Sequence, residues 1–206
     1  MTTRTITGLF ASYDQAEQAV RDIEASGIPH SEISIVANNS DNRYTLAGEA
    51  GPSKAAKGAE AGATFGGVVG GGTGLLAGIG MLALPGVGPV IAAGWLVATA
   101  VGAVAGAAVG GTAGGIVGSL TRAGVNENHA HVHAEGVRRG GTLVTARVTE
   151  ERADAVESIM ANHQSIDPDV RGLAYRTDGW KGFNDKAVPY SRSELENERS
   201  RYATRT

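Results

Sequence analysis

Three patterns of apolar and polar positions follow one another along the chain. The first alternates. In "RTITGLF" (4–10), Ile6, Gly8 and Phe10 fall on one face of a predicted strand. Ser12 stands three residues before Gln15, the capping-box spacing that opens a helix. Ala16, Ala19, Val20 and Ile23 form the apolar stripe of that helix, and Gly27 with Pro29 ends it. "EISIVAN" (32–38) alternates again, with Ile33 and Ile35 inward. "NNSDNRYTLAGEAGPS" (38–53), rich in turn formers, then reads as a linker.

The second pattern repeats every fourth residue. Glycine stands at Gly58, Gly62, Gly66, Gly70, Gly74 and Gly78. Beyond "LPGVGP" (84–89) it resumes at Gly94, Gly102, Gly106, Gly110, Gly114 and Gly118, with Ala98 in the missing place. A glycine inside a helix costs about 1 kcal/mol relative to alanine. Repeating it at helical spacing predicts a helix whose backbone touches a partner closely, as small-xxx-small stripes do in membranes. The spacing therefore predicts a helical hairpin, arms 61–83 and 90–121 and turn 84–89, with all twelve glycines as helix-packing and oligomerisation positions.

The third pattern returns to alternation. "NENHAHVHAEGVRRGG" (126–141) predicts a short helix closed by Gly140 and Gly141. "TLVTARV" (142–148) predicts a strand with Val144, Ala146 and Val148 on one face. Thr149 caps a further helix whose positive first turn holds Glu150 and Glu151. "DPDVRGLAY" (167–175) is assigned to a final strand, and the charged tail beyond Arg176 to a flexible segment with a helix around "SELENERSRY". "AVRDI" (19–23) and "AVESI" (155–159) form a weak internal repeat. Two strand–helix–strand units predict an α+β fold: a ferredoxin-like sheet domain built from two βαβ halves, with its helices on one face. The halves are 1–50 and 124–175, the glycine-zipper helical hairpin (51–123) interrupts them, and the tail is 176–206.

Charge sharpens the middle segment. From Ala61 through Thr121 there is no Asp, Glu, Lys, Arg or His. Each arm exceeds the length of about 20 residues needed to cross a bilayer. Lys54 and Lys57 precede the first arm and Arg122 follows the second, and the positive-inside rule assigns that side to the cytoplasm. The expected location is the cytoplasmic membrane, with the sheet domain and both termini facing the cytoplasm, Trp95 near an interface, and lipid and further copies of the chain as partners. Leu, Ile, Val and Phe are thin in the first arm, so a soluble cytoplasmic assembly with buried hairpins is the alternative.

The remaining chemistry is sparse. The net charge of −3 gives no general attraction to nucleic acid, and the absence of cysteine excludes disulfides and thiol catalysis. "HAHVH" puts His129 and His133 at i, i+4, a spacing that can hold zinc, but no third ligand stands beside them, so a solvated face is the expected reading. Arg138 and Arg139 in "GVRRGG" could meet a phosphate or lipid head group; a solvated helix C-terminus is the simpler assignment. "GGVVGGGTG" lacks the Gly-Lys-Ser/Thr of a phosphate-binding loop. No catalytic residue, metal, cofactor or small-molecule substrate is predicted, and the protein is not expected to be an enzyme.

Residues 7–38, "TGLFASYDQAEQAVRDIEASGIPHSEISIVAN", and 124–148, "GVNENHAHVHAEGVRRGGTLVTARV", together resemble the bacterial heat-induced, or general stress, protein domain. The resemblance extends over roughly 4–172, and members of that family often carry a glycine-zipper insertion. It implies a stress-response association and no defined catalytic residues; the histidines of 129–133 and the long charged tail depart from its pattern. The leading expectation is a non-enzymatic stress protein that self-associates through its glycine hairpin at or in the membrane. The alternatives are a soluble particle or filament, and a small-ligand or metal-sensing module.

Overall fold

The alternating segments form the strands that their patterns predict. In the computed structural model, which describes residues 2–44, 75–99 and 115–203, β1 is Thr3–Phe10, α1 is Tyr13–Ala25 and β2 is Ile33–Asn38. The Ser12–Gln15 capping box is present, and Ala16, Ala19, Val20 and Ile23 are the buried residues of α1. Gly27, at φ +91°, turns the chain out of that helix. A 3₁₀ turn at Leu75–Gly78 leads into β3 (Gly80–Leu84) and β4 (Gly88–Gly94). Next come α2 (Gly115–Arg122), α3 (Glu127–Arg138), β5 (Thr142–Thr149), α4 (Glu150–Asn162), α5 (Pro168–Thr177) and α6 (Arg192–Ala203).

The strands make one five-stranded antiparallel sheet in the order β1-β5-β2-β4-β3. β5 sits between β1 and β2, with Ala146 opposite both Ile6 and Ile33. The first strand–helix–strand unit is thus split by a strand arriving more than a hundred residues later.

Alternation gives the sheet two apolar faces. Ile6, Phe10, Ile33, Ile35, Val144, Ala146 and Val148 pack against the α1 stripe and against Ala153, Val156 and Met160 of α4. On the other face, Val36, Val90, Ala92 and Leu143 pack against Ile116 and Leu120 of α2 and Ala130, Ala134 and Val137 of α3. Burying each large apolar side chain contributes about 1.5–3 kcal/mol. Helices therefore cover both faces, where the ferredoxin-like plan expected one. The reason lies in β2, whose six residues are all buried. A strand of that kind must be paired on both edges and covered on both sides.

Three further expectations are corrected. The segment 80–94, assigned to the inner ends of two helices and the turn between them, is a β-hairpin. "LPGVGP" is indeed a tight turn, closed by Val87 N–H donating to the Leu84 carbonyl at 3.1 Å, with Gly86 and Gly88 at positive φ. Its arms continue as strands because β4 supplies the partner that β2 lacks on its second edge. The segment 167–175 is helical rather than a strand. Asp167 caps α5 by accepting from Asp169 N–H and Val170 N–H, and Pro168 occupies the first turn, where its missing N–H costs nothing. The tail is docked rather than free across its described part: Leu195 of α6 is fully buried.

Candidate functional site

Of the twelve glycines predicted to pack helices, Gly58, Gly62, Gly66, Gly70, Gly74, Gly102, Gly106, Gly110 and Gly114 lie outside the described residues. Gly78 ends the 3₁₀ turn. Gly118 is buried in α2, which packs on α3. Gly94 is not a helix-packing residue. It ends β4 at φ +94°, and a Cβ there would meet the Ile33 carbonyl and come within 2.7 Å of Ser34 Cα. Its role is to let the chain leave the sheet against β2. Directly after it, Ser34 Oγ accepts from Leu96 N–H at 2.9 Å, and the Trp95 indole donates to the Glu32 carbonyl at 3.1 Å. The ring of Trp95, expected near a membrane interface, instead lies under the Arg147 guanidinium, 4.6 Å from its centroid. Among the described residues, no helix is long and apolar enough to cross a membrane.

The polar residues gather around α3. Its C-terminal turn carries Glu135, Arg138 and Arg139, and the fold uses all three to hold the tail. Glu135 accepts from Arg138 Nη1 at 3.2 Å and Arg139 Nε at 2.7 Å, and its side chain is only 2% exposed. Arg139 Nη1 then reaches Glu198 of α6 at 2.7 Å, and its guanidinium lies 4.3 Å from the Tyr175 ring centroid. Arg138 stacks over Tyr190 and donates to the Val188 carbonyl. Beside them Asp41, just past β2, pairs with Arg199 at 2.6 Å and Arg43 at 3.2 Å. Burial opposes the charge on Arg139, but the hydrogen bond and charge of Glu135, with Glu198 behind, raise its pKa. For Asp41, burial works against ionisation, and the Arg199 bond and charge outweigh it and lower the pKa. The arginines of "GVRRGG" thus neither wait for a phosphate nor sit solvated at a helix end. They bind the protein's own tail.

The histidines of "HAHVH" point to three different elements. His129 Nε2 is 2.9 Å from Asp169 Oδ1 on α5. His131 Nδ1 accepts from Phe183 N–H at 3.2 Å. His133 is fully buried against β1, with Nε2 2.9 Å from Thr7 Oγ1. Among the described residues no group of three or more His, Cys, Asp or Glu is placed to hold a metal ion. Sequence spacing put His129 and His133 on one helical face but could not show that α5 and β1 would each take one.

Burial, with the nearby His129 adding to it, lowers the pKa of His133 from 6.5 to about 4. The unfolded chain therefore binds a proton between those values that the folded chain refuses. Stability from this group is fully present above pH 6.5 and is lost as pH falls toward 4, by roughly 3 kcal/mol at about 1.36 kcal/mol per unit. Urea midpoints measured from pH 7 to pH 4 should fall steeply in the wild type and less steeply in His133→Gln. Equal slopes in the two proteins would exclude His133 as the source.

These elements define an α+β protein whose conspicuous polar groups are spent on its own architecture. Residues 5–76 match the model of the heat induced stress protein YflT domain. The match covers β1, α1 and β2, while α3 and β5 lie beyond it. No curated protein and no solved structure matches the chain.

Proposed function

We propose that this is a non-enzymatic stress-response protein that acts by associating with copies of itself. The observation that carries the stress-response part is the family match over residues 5–76. The non-catalytic part is supported by the engagement of His129, His131, His133, Arg138 and Arg139 in pairs within the fold. Self-association is read from the stripes Gly62, Gly66, Gly70, Gly74 and Gly102, Gly106, Gly110, Gly114, where backbones can approach a partner closely. A bilayer-spanning hairpin is not retained, because the inner ends of both arms are strands of the sheet, joined by the tight turn. The assembly with buried stripes, first drawn as the alternative, carries the proposal.

Carbonate-washed membranes and cytosol, separated from cells and probed for the protein, test it together with sedimentation velocity. Recovery without detergent as an assembly that Gly66→Leu with Gly106→Leu dissociates is the expected result. Retention in washed membranes, or an assembly indifferent to both substitutions, would overturn the role of the stripes.

A further inference from the structure

The two edges of the sheet are built differently. β1 is defended: Arg4 pairs with Glu157 at 3.1 Å and lies near Glu150, and the Leu9 carbonyl already accepts from Ile166 N–H at 2.7 Å. β3, at the opposite edge, reads Gly80-Met81-Leu82-Ala83-Leu84, without a charge or a proline. Natural edge strands ordinarily carry such devices to prevent pairing with another chain. Met81 and Ala83 are exposed, and among the described residues no backbone bond beyond those of the β3–β4 hairpin engages them.

The register settles which backbone groups face outward. Ala83 lies opposite Pro89, which has no N–H, and the Pro89 carbonyl accepts from Asn39 on the β2 side at 2.8 Å. Ala83 and Pro89 are therefore a non-hydrogen-bonded pair, and Met81 with Ile91 is the next of the same kind. It follows that the N–H and C=O of both Met81 and Ala83 point out of the sheet.

We propose that β3 pairs with β3 of a second copy, antiparallel about a two-fold axis through Leu82, joining the two sheets into one. That register sets Met81 opposite Ala83 of the other copy, and the reverse. Both become hydrogen-bonded pairs, and every outward N–H and C=O on the two strands finds a partner. A shift by one residue would instead oppose groups that are already used within the hairpin. Side chains agree with the same register. Leu82, which lies on the α2/α3 face of the sheet, meets its own counterpart, Leu84 meets the space above Gly80, and the two β3 strands bring no charges together. An isologous contact of this kind closes as a dimer. The inference takes its partner, a second copy, from the self-association reading but uses a surface separate from the glycine stripes.

Because the chain has no cysteine, a single introduced thiol reports the register. Leu82→Cys should form a disulfide-linked dimer under mild oxidation, since Cα atoms in a non-hydrogen-bonded pair are about 4.5 Å apart, within disulfide reach. Met81→Cys, whose counterpart is displaced along the strand, should cross-link at least about tenfold more slowly. Ala83→Pro removes only an outward N–H, a change that an edge strand tolerates. It should weaken dimerisation at least about tenfold in sedimentation velocity while leaving the circular dichroism and melting curve unchanged. Equal cross-linking at positions 81 and 82 overturns the inference, as does an Ala83→Pro protein that associates like the wild type. Association lost in Gly66→Leu with Gly106→Leu but kept in Ala83→Pro would sink the edge and leave the stripes. The opposite pattern would sink the stripes and leave the edge.

Discussion

Glu135→Ala is expected to lower stability by about 3–5 kcal/mol, the range for removing one partner of a buried ion pair. The carboxylate is 2% exposed and accepts from two guanidinium groups of its own helix. Without it, Arg138 and Arg139 remain desolvated beside each other. Arg139 keeps Glu198, but the anchor that orients its fork toward α6 is gone. The loss should appear first in the tail. Amide exchange across 192–203 should accelerate before exchange in β1, β2 and β5 does, because α6 holds to the body through Leu195 and these ion pairs. Glu135→Gln, which can still accept a hydrogen bond, should lose less. A melting temperature for Glu135→Ala within about 2 °C of wild type would show the network to be dispensable.

Gly94→Ala tests the correction that the structure makes to the glycine pattern. A non-glycine residue in the left-handed region costs roughly 1–2 kcal/mol. Forcing a side chain into occupied space adds typically 1–3 kcal/mol. Here the obstructing atoms belong to the backbone of β2, at the Ile33 carbonyl and Ser34 Cα, and cannot swing aside. A total of about 2–5 kcal/mol is expected, with exchange protection lost at the β2–β4 pairing. Gly124→Ala is the control: its φ is +88°, but a Cβ there meets nothing within 4 Å. It should show the strain alone. Equal urea midpoints for the two variants would mean that the close approach at Gly94 contributes nothing.

How the candidate site was hidden follows from the same residues. "EGVRRGG" announces a helix end by its glycines, and Gly140 does turn there at φ +94°. Its charges look solvated because the motif offers two arginines a single carboxylate, Glu135. The second carboxylate on Arg139, Glu198, comes from about sixty residues later, and the neighbouring Arg199 takes Asp41 from 158 residues earlier. One signal was available for the tail: Leu195 is a lone large aliphatic in an otherwise polar helix, the mark of a single anchoring contact. Another was available for α5, where Asp167 before Pro168 is a helix start, although the apolar content of "VRGLAY" suggested a strand.

The sequence by itself determined the elements whose pattern is local. Alternation fixed β1, β2 and β5 and the faces of Ile6, Ile35 and Val144. The capping box and four-residue stripe fixed α1, and paired glycines fixed where α3 ends. These follow from side-chain periodicity and backbone sterics, which neighbours along the chain decide. Only the tertiary structure decided that 80–94 is sheet, that helices cover both faces, and that the tail is clamped. A short apolar run fits a strand or a buried helix equally well by period. The choice fell to β2, whose buried edge needed the hydrogen bonds that β4 provides. Arg139 at the end of α3 likewise took its role from Glu198, a carboxylate that only the folded chain brings within reach.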